Sequence, residues 1–160
     1  MTNQTRKSRY LGLRLLPMAA LLMVAACTST SGAGQNDGDA GSAPSPVMAI
    51  EMPSETNVQL PFVVSGWALD EAAEEDPGIS KVQILDHGCE GDVIGVAEYG
   101  ATRRDIGLRY GDQFEDSGWQ FEVARMHKGE RTLAVRVFAD GSTTFDACET
   151  LPVIVGEAAN

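Results

Sequence analysis

Residues Gly118–Val123 read GWQFEV. Trp119, Phe121 and Val123 alternate with Gln120 and Glu122. A period of two sends one row of side chains into an apolar interior and the other into water, which is the mark of a half-buried strand. The same period recurs on both sides of this stretch. Residues 131–139 turn Leu133, Val135 and Val137 inward, and residues 81–86 do so with Val82 and Ile84. Residues 93–99 continue after a turn at 88–92. Short runs at 47–52 and 151–155 open and close the series, and 143–147 forms either an added strand or the first half of the last one.

The longest run, 58–69, reads VQLPFVVSGWAL. Leu60, Phe62 and Val64 share one parity, while Trp67 and Leu69 share the other. The phase changes at Ser65-Gly66, which predicts a bulge or bend there. Pro61 has no N–H to donate, which predicts that its side of the strand is unpaired.

About seven strands are thus separated by Gly-, Asp- and Pro-rich turns, and helical periodicity is scarce. The pattern predicts an all-β domain over residues 47–156: a two-sheet antiparallel sandwich burying facing apolar rows, with a small barrel as the alternative. At about 110 residues it is large enough for one modest core. Residues 100–116 are poorly patterned and are expected to cross from one sheet to the other. Residues 157–160 form a short C-terminal tail.

The chain begins MTNQTRKSRYLGLRLLPMAALLMVAAC. Arg6, Lys7, Arg9 and Arg14 precede an uncharged, mostly apolar run from Leu15 to Ala26. A basic start, a short apolar core and small residues make an export signal. The run is shorter than the ~20 residues a membrane span needs. Val24-Ala25-Ala26-Cys27 resembles a bacterial lipobox. That resemblance implies a lipoprotein signal peptide over residues 1–26 and diacylglycerol on the Cys27 thiol, with further acylation such as palmitate. Two or three chains anchor stably where one does not. Thr28 stands where inner-membrane lipoproteins of Gram-negative bacteria often carry aspartate. The resemblance therefore implies the bacterial cell envelope, and the outer membrane if the cell has two.

Residues 27–46 continue CTSTSGAGQNDGDAGSAPSP, with no aliphatic or aromatic side chain larger than alanine after Cys27. Such a segment cannot offset its ordering entropy and is expected to be a flexible linker. Its root-mean-square reach is ~25 Å. The whole chain carries a formal −11. Eight basic and twenty-three acidic side chains follow Cys27, a balance of −15. That charge disfavours nucleic acid as a partner.

Several short stretches resemble bacterial immunoglobulin-like domains: FVVSGWALD at 62–70, GISKVQI at 78–84, YGATRRDI at 99–106, Tyr110-Gly111, Ser117-Gly118-Trp119 and GERTLAV at 129–135. The resemblance implies an immunoglobulin-like sandwich in which Trp67 is a core tryptophan. It also implies that Arg103 or Arg104 pairs with Asp105 to pin the crossing connection, with Tyr99 and Trp119 packed beneath it. Arg131 stands where relatives often have histidine, and the acidic run Asp70–Asp76 is a departure.

With Cys27 lipidated, Cys89 and Cys148 remain, and an even pair in an exported domain predicts a disulfide. The competing metal set is His87, Cys89, His127 and Cys148. No C-x-x-C pair exists for thiol exchange. The chain contains no G-x-S-x-G elbow, Walker loop, H-E-x-x-H or Rossmann glycine pattern. Two histidines and the carboxylates Glu74-Glu75-Asp76 are the residual material for a small hydrolase. Asp70, Glu71, Glu74, Glu75 and Asp76, with Asp140, have the oxygen chemistry for calcium but no ligand spacing. No cofactor is expected. The expected function is a non-catalytic, envelope-anchored interaction or structural module that meets a protein or envelope component. A carbohydrate-binding module is the first alternative, with Tyr99, Tyr110 and Trp119 stacking on sugar rings if they form an exposed row.

Overall fold

Two places where the chain leaves one sheet for the other set the architecture. At Leu60-Pro61 the long run of 58–69 divides in two. Its first piece, β2 (Asn57–Gln59), pairs in parallel with the last strand, β9 (Ala147–Gly156). Its second piece, β3 (Phe62–Asp70), pairs with β1 (Pro46–Met52) in the opposite sheet. At Ala97 the run expected over 93–99 divides in the same way. β5 (Asp92–Val96) pairs with β4 (Ile79–Asp86), whereas β6 (Glu98–Ala101) pairs with β7 (Gly118–Val123). β8 (Gly129–Ala139) lies between β4 and β9. Among the described residues, two splits turn about seven expected strands into nine.

The computed structural model describes residues 43–156. The signal segment, Cys27, most of the linker and the tail at 157–160 lie outside the described residues. Within them is an all-β sandwich of two sheets, with strand orders β1-β3-β7-β6 and β2-β9-β8-β4-β5. Every pairing but β2 with β9 is antiparallel. This is the immunoglobulin arrangement: β1, β3, β7 and β6 take the places of strands A, B, E and D, and β9, β8 and β4 those of G, F and C. Among the described residues no helix is long and apolar enough to cross a membrane.

The main core lies between the sheets. Val64, Ala68, Trp119 and Val123 face Val82, Ile84, Leu133, Val135, Val137, Val153 and Val155. Gly66 permits this packing next to Trp119, because a Cβ there would come within 2.9 Å of the Trp119 ring.

Three expectations fail here for one physical reason: the four-stranded sheet is buried on both faces over half its length. β3 does not change phase at Ser65-Gly66, and its register with β7 runs without a break. The bulge sits on the partner strand β1, at Glu51, opposite those residues. Trp67 and Leu69 point outward into a second cluster with Ile106 and Phe114. The connection 100–116 does not cross between sheets, because it joins β6 to its neighbour β7. It is also not irregular. It contains α1 (Arg104–Tyr110) and a 3-10 turn (Asp112–Phe114), which lay Ile106, Tyr110 and Phe114 over the outer face of β3. Residues 143–146 form a turn rather than an extra strand.

Candidate functional site

Arg103 is the residue that ties the α1 connection to the sheet. Its Nε and Nη2 donate to Asp105 Oδ1 and Oδ2 at 2.9 and 2.6 Å, and its Nη1 and Nη2 donate to Glu51 at 2.8 and 2.9 Å. Both carboxylates are gripped by two parallel bonds, the geometry for which a guanidinium fork is suited. The bulge at Glu51 places its carboxylate within reach. The Asp105 bonds, then those to Glu51, raise Arg103 above the ordinary arginine range, and Arg103 holds the Asp105 carboxyl below the usual aspartate value. Arg104 is exposed. The pin therefore uses Arg103 with Asp105, and adds Glu51.

Trp67 is a core tryptophan as expected, in the second cluster, whereas Trp119 belongs to the main core and not to the packing beneath the connection. Trp67 is 7% exposed and lies beneath α1, with its ring 5.6 Å from that of Tyr110. Trp119 and Tyr99 pack with the main core instead. The Tyr99 hydroxyl donates to the Ala68 carbonyl at 2.7 Å. Burial, then the charges of Asp76, Asp140 and Asp116, push its pKa well above the ordinary tyrosine value. Tyr99, Tyr110 and Trp119 thus divide between two packed clusters and form no exposed row.

The acidic run 70–76 is a folded turn. Asp70 is buried, and its Oδ1 accepts from Ser45 N–H at 2.7 Å and Ala72 N–H at 3.0 Å. Asp76 Oδ1 accepts from Gly78 N–H at 2.7 Å. Glu71, Glu74 and Glu75 are exposed. Among the described residues, no three His, Cys, Asp or Glu side chains are placed to hold a metal, so the calcium candidates do not converge.

Cys89 and Cys148 are joined as a disulfide. Neither thiolate is left for a metal set with His87 and His127. The bridge ties the turn after β4 to β9 across β8. Arg136 of β8, the register partner of Cys148, donates through Nε to the Cys89 carbonyl at 2.6 Å and lies 4.7 Å from the Phe145 ring centre. Asp86, at the end of β4, is buried and receives Arg131 Nε at 3.1 Å and His87 N–H at 2.9 Å. Arg131 thus has a structural partner in Asp86.

What the strand patterns did not reveal is an open side. β6 begins at Glu98, whose partner is Gln120. Beyond Gln120, among the described residues β7 pairs only with β3, through Phe121–Val64, Glu122–Val63 and Val123–Phe62. Val96, which would otherwise stand beside Glu122, belongs to β5 and pairs with Gln83. The sheet switch at Ala97 therefore leaves a gap in the four-stranded sheet. Ala68 N–H donates to Ser117 C=O across β3 and β7. By antiparallel alternation the odd residues of β7 bond to β3, so the N–H and C=O of Glu122 face the gap.

A groove of about 430 Å3 runs there, lined by Val63, Val96, Glu98, Gln120, Phe121 and Glu122. Val63 is 44% exposed and Val96 55%. The Phe121 ring lies against Gly95, where a Cβ would come within 2.2 Å of it. Gln120 Nε2 donates to Glu98 at 3.2 Å. A second, smaller hollow shares Phe121 and Glu122 with it and is lined also by Val123 and Arg125. The sequence carried one signal of the groove: in the unbroken run Phe62-Val63-Val64, one valine must face outward.

No family model matches the chain, and no curated protein matches it significantly. Among solved structures, the crystal structure of an engineered protein from the Northeast Structural Genomics Consortium aligns with 72% of this chain at 12% identity and a TM-score of 0.36. This chain spans 20% of the length of that one. The fold assignment rests on the strand order and core of the chain itself.

Proposed function

We propose that this chain is an envelope-anchored, non-catalytic interaction or structural module. In this proposal residues 1–26 are removed as a lipoprotein signal, Cys27 carries the lipid, and the linker through residue 46 holds the domain off the membrane. The bacterial envelope is the location, at the outer membrane in a two-membrane cell. The domain is grouped with bacterial immunoglobulin-like domains at the level of fold, which does not by itself assign an activity. The Cys89–Cys148 bridge suits an oxidising compartment.

The observation that carries the interaction role is the groove between β5 and β7. Other conspicuous polar groups are engaged in holding the fold: Arg103 by Glu51 and Asp105, Asp70 by Ser45 and Ala72, Asp86 by Arg131. At the groove, half-exposed valines and strand polar groups face solvent together. A protein or envelope component is the partner.

Two measurements test this. Metabolic labelling with a palmitate analogue is expected to mark the full chain and to miss Cys27→Ser; equal labelling of both overturns the anchor. Photo-crosslinking from position 96 in intact cells is expected to trap a saturable envelope partner. Val63→Lys is expected to abolish that adduct. An adduct indifferent to Val63→Lys overturns the groove as the contact.

A further inference from the structure

We propose that the groove takes an extended peptide segment in which basic and apolar residues alternate, and that this segment pairs with β7 alongside Glu122, filling the gap that β6 leaves. The proposal rests on the interaction role above and names the class of partner and its binding mode. An unpaired N–H and C=O on a strand are the hydrogen-bonding groups that strand addition uses, while pockets beside the strand select alternate side chains. Here Phe121, on the core side of β7, supplies apolar contact for every second residue, while Val63, the register partner of Glu122, lines the outer face beside that glutamate. Glu98 and Glu122, both exposed, flank the same stretch and favour cationic residues on the intervening positions. Arg125, in the adjoining hollow, sets a limit to the basic stretch.

Charge also argues against a second copy of this chain as the occupant. Antiparallel pairing of two β7 edges would bring Glu98 and Glu122 of one copy close to those of the other, and like charges across a ladder are destabilising. The remaining sheet edges are less open to an added strand. β1 is bulged at Glu51 and bounded by Pro46 and Pro53, β2 is three residues long, β5 is five residues long and bulged at Ile94, and β6 is bulged at Gly100.

The test uses the full chain and synthetic eight-residue peptides. An amidated peptide alternating lysine and valine is expected to bind saturably, tighter than about 1 mM. It is expected to shift the amide signals of residues 121–124 and 96. Replacing its lysines by glutamate is expected to abolish binding. Glu98→Gln and Glu122→Gln are each expected to weaken it about threefold, as partly solvated charge pairs do.

Two further peptides carry N-methyl groups on alternate residues, one set per peptide. Strand pairing requires one of them to lose at least about tenfold in affinity while the other binds normally. Equal behaviour of the two, absence of saturable binding, or amide shifts confined to another face overturns the proposal. Concentration-dependent dimerisation that shifts the Glu122 amide overturns the choice of a basic partner over a second copy. If Val63→Lys abolishes the cellular adduct but both methylated peptides bind alike, the groove remains the contact and strand addition falls.

Discussion

The outer face of β3 is two surfaces joined end to end. At its C-terminal half, Trp67 and Leu69 are buried under α1 and the 3-10 turn. At its N-terminal half, Val63 is 44% exposed beside a groove. The strand is the same, and both halves carry apolar side chains on that face. What differs is whether another segment of the chain returns to lie over them. A single face can therefore change from core to docking surface within a few residues, without any change in its own strand pattern.

Removing the covered half's anchor should produce the largest effect. Trp67→Ala is expected to cost about 4 kcal/mol, the range for emptying a large buried aromatic site. Chemical denaturation would read it. A loss below about 1 kcal/mol would mean that the α1 connection is a loose cover, and the contrast between the two halves would disappear.

The five-stranded sheet has a cover of a different kind. Leu85 and Ala134 are register partners on its outer face, and both are fully buried. The turn carrying Cys89 is stapled across β8 to Cys148 and held by Arg136. Closing a loop with a sequence separation of 59 stabilises by up to ~4 kcal/mol in the chain-entropy model. Replacing both cysteines by alanine is expected to cost about 3 kcal/mol, read as a lowered denaturation midpoint. Combined with Trp67→Ala, the two losses should add, because the covers lie on opposite sheets. Strong non-additivity would show that the covers are coupled through the core.

Alternation made the strands legible in the sequence, and cysteine count made the bridge legible. Gly118–Val123 and the β8 residues 131–139 read correctly because each has one wet face and one dry face. The 58–69 run misled because the second half of β3 is dry on both faces, so its two parities looked like a bulge. The splits at Leu60-Pro61 and Ala97 were hidden for a related reason. A chain that passes from one sheet to the other keeps an apolar character, since both pieces border the same core. α1 was missed because it is only seven residues long, with Ile106 and Gly107 buried and Leu108 left 88% exposed. The groove was illegible because it is made by the absence of a strand next to Glu122, a property of pairing rather than of any segment.

Tyr99 lies where the paired part of β6 meets the gap, and its hydroxyl ties β6 to Ala68 of β3. Tyr99→Phe is expected to cost about 1 kcal/mol near neutral pH, the net worth of one hydrogen bond. The pH dependence has a definite sign. The folded pKa is raised, by burial and then by Asp76, Asp140 and Asp116. The contribution of the phenol is therefore complete below the unfolded value of ~10 and is lost as pH rises through the higher folded value. The stability gap between wild type and Tyr99→Phe should narrow in that alkaline range. A gap that stays constant to pH 12 would show that the Tyr99 hydroxyl has the same pKa in the folded and the unfolded chain.

The smallest effect on stability should come from the open half, and it is the most discriminating. Val63→Thr keeps the β-branched shape while removing apolar character from a side chain already half in water. Its cost is expected to stay within about 0.5 kcal/mol. Trp67, four residues along the same face, is expected to cost about eight times as much when truncated. If Val63 stabilised the free domain as strongly as a core residue, the groove would be an internal packing defect closed in solution. A near-neutral Val63→Thr that also weakens capture of the partner separates folding from binding on one strand. It would place the apolar surface of Val63 in the service of association, because the free domain would have been shown not to need it.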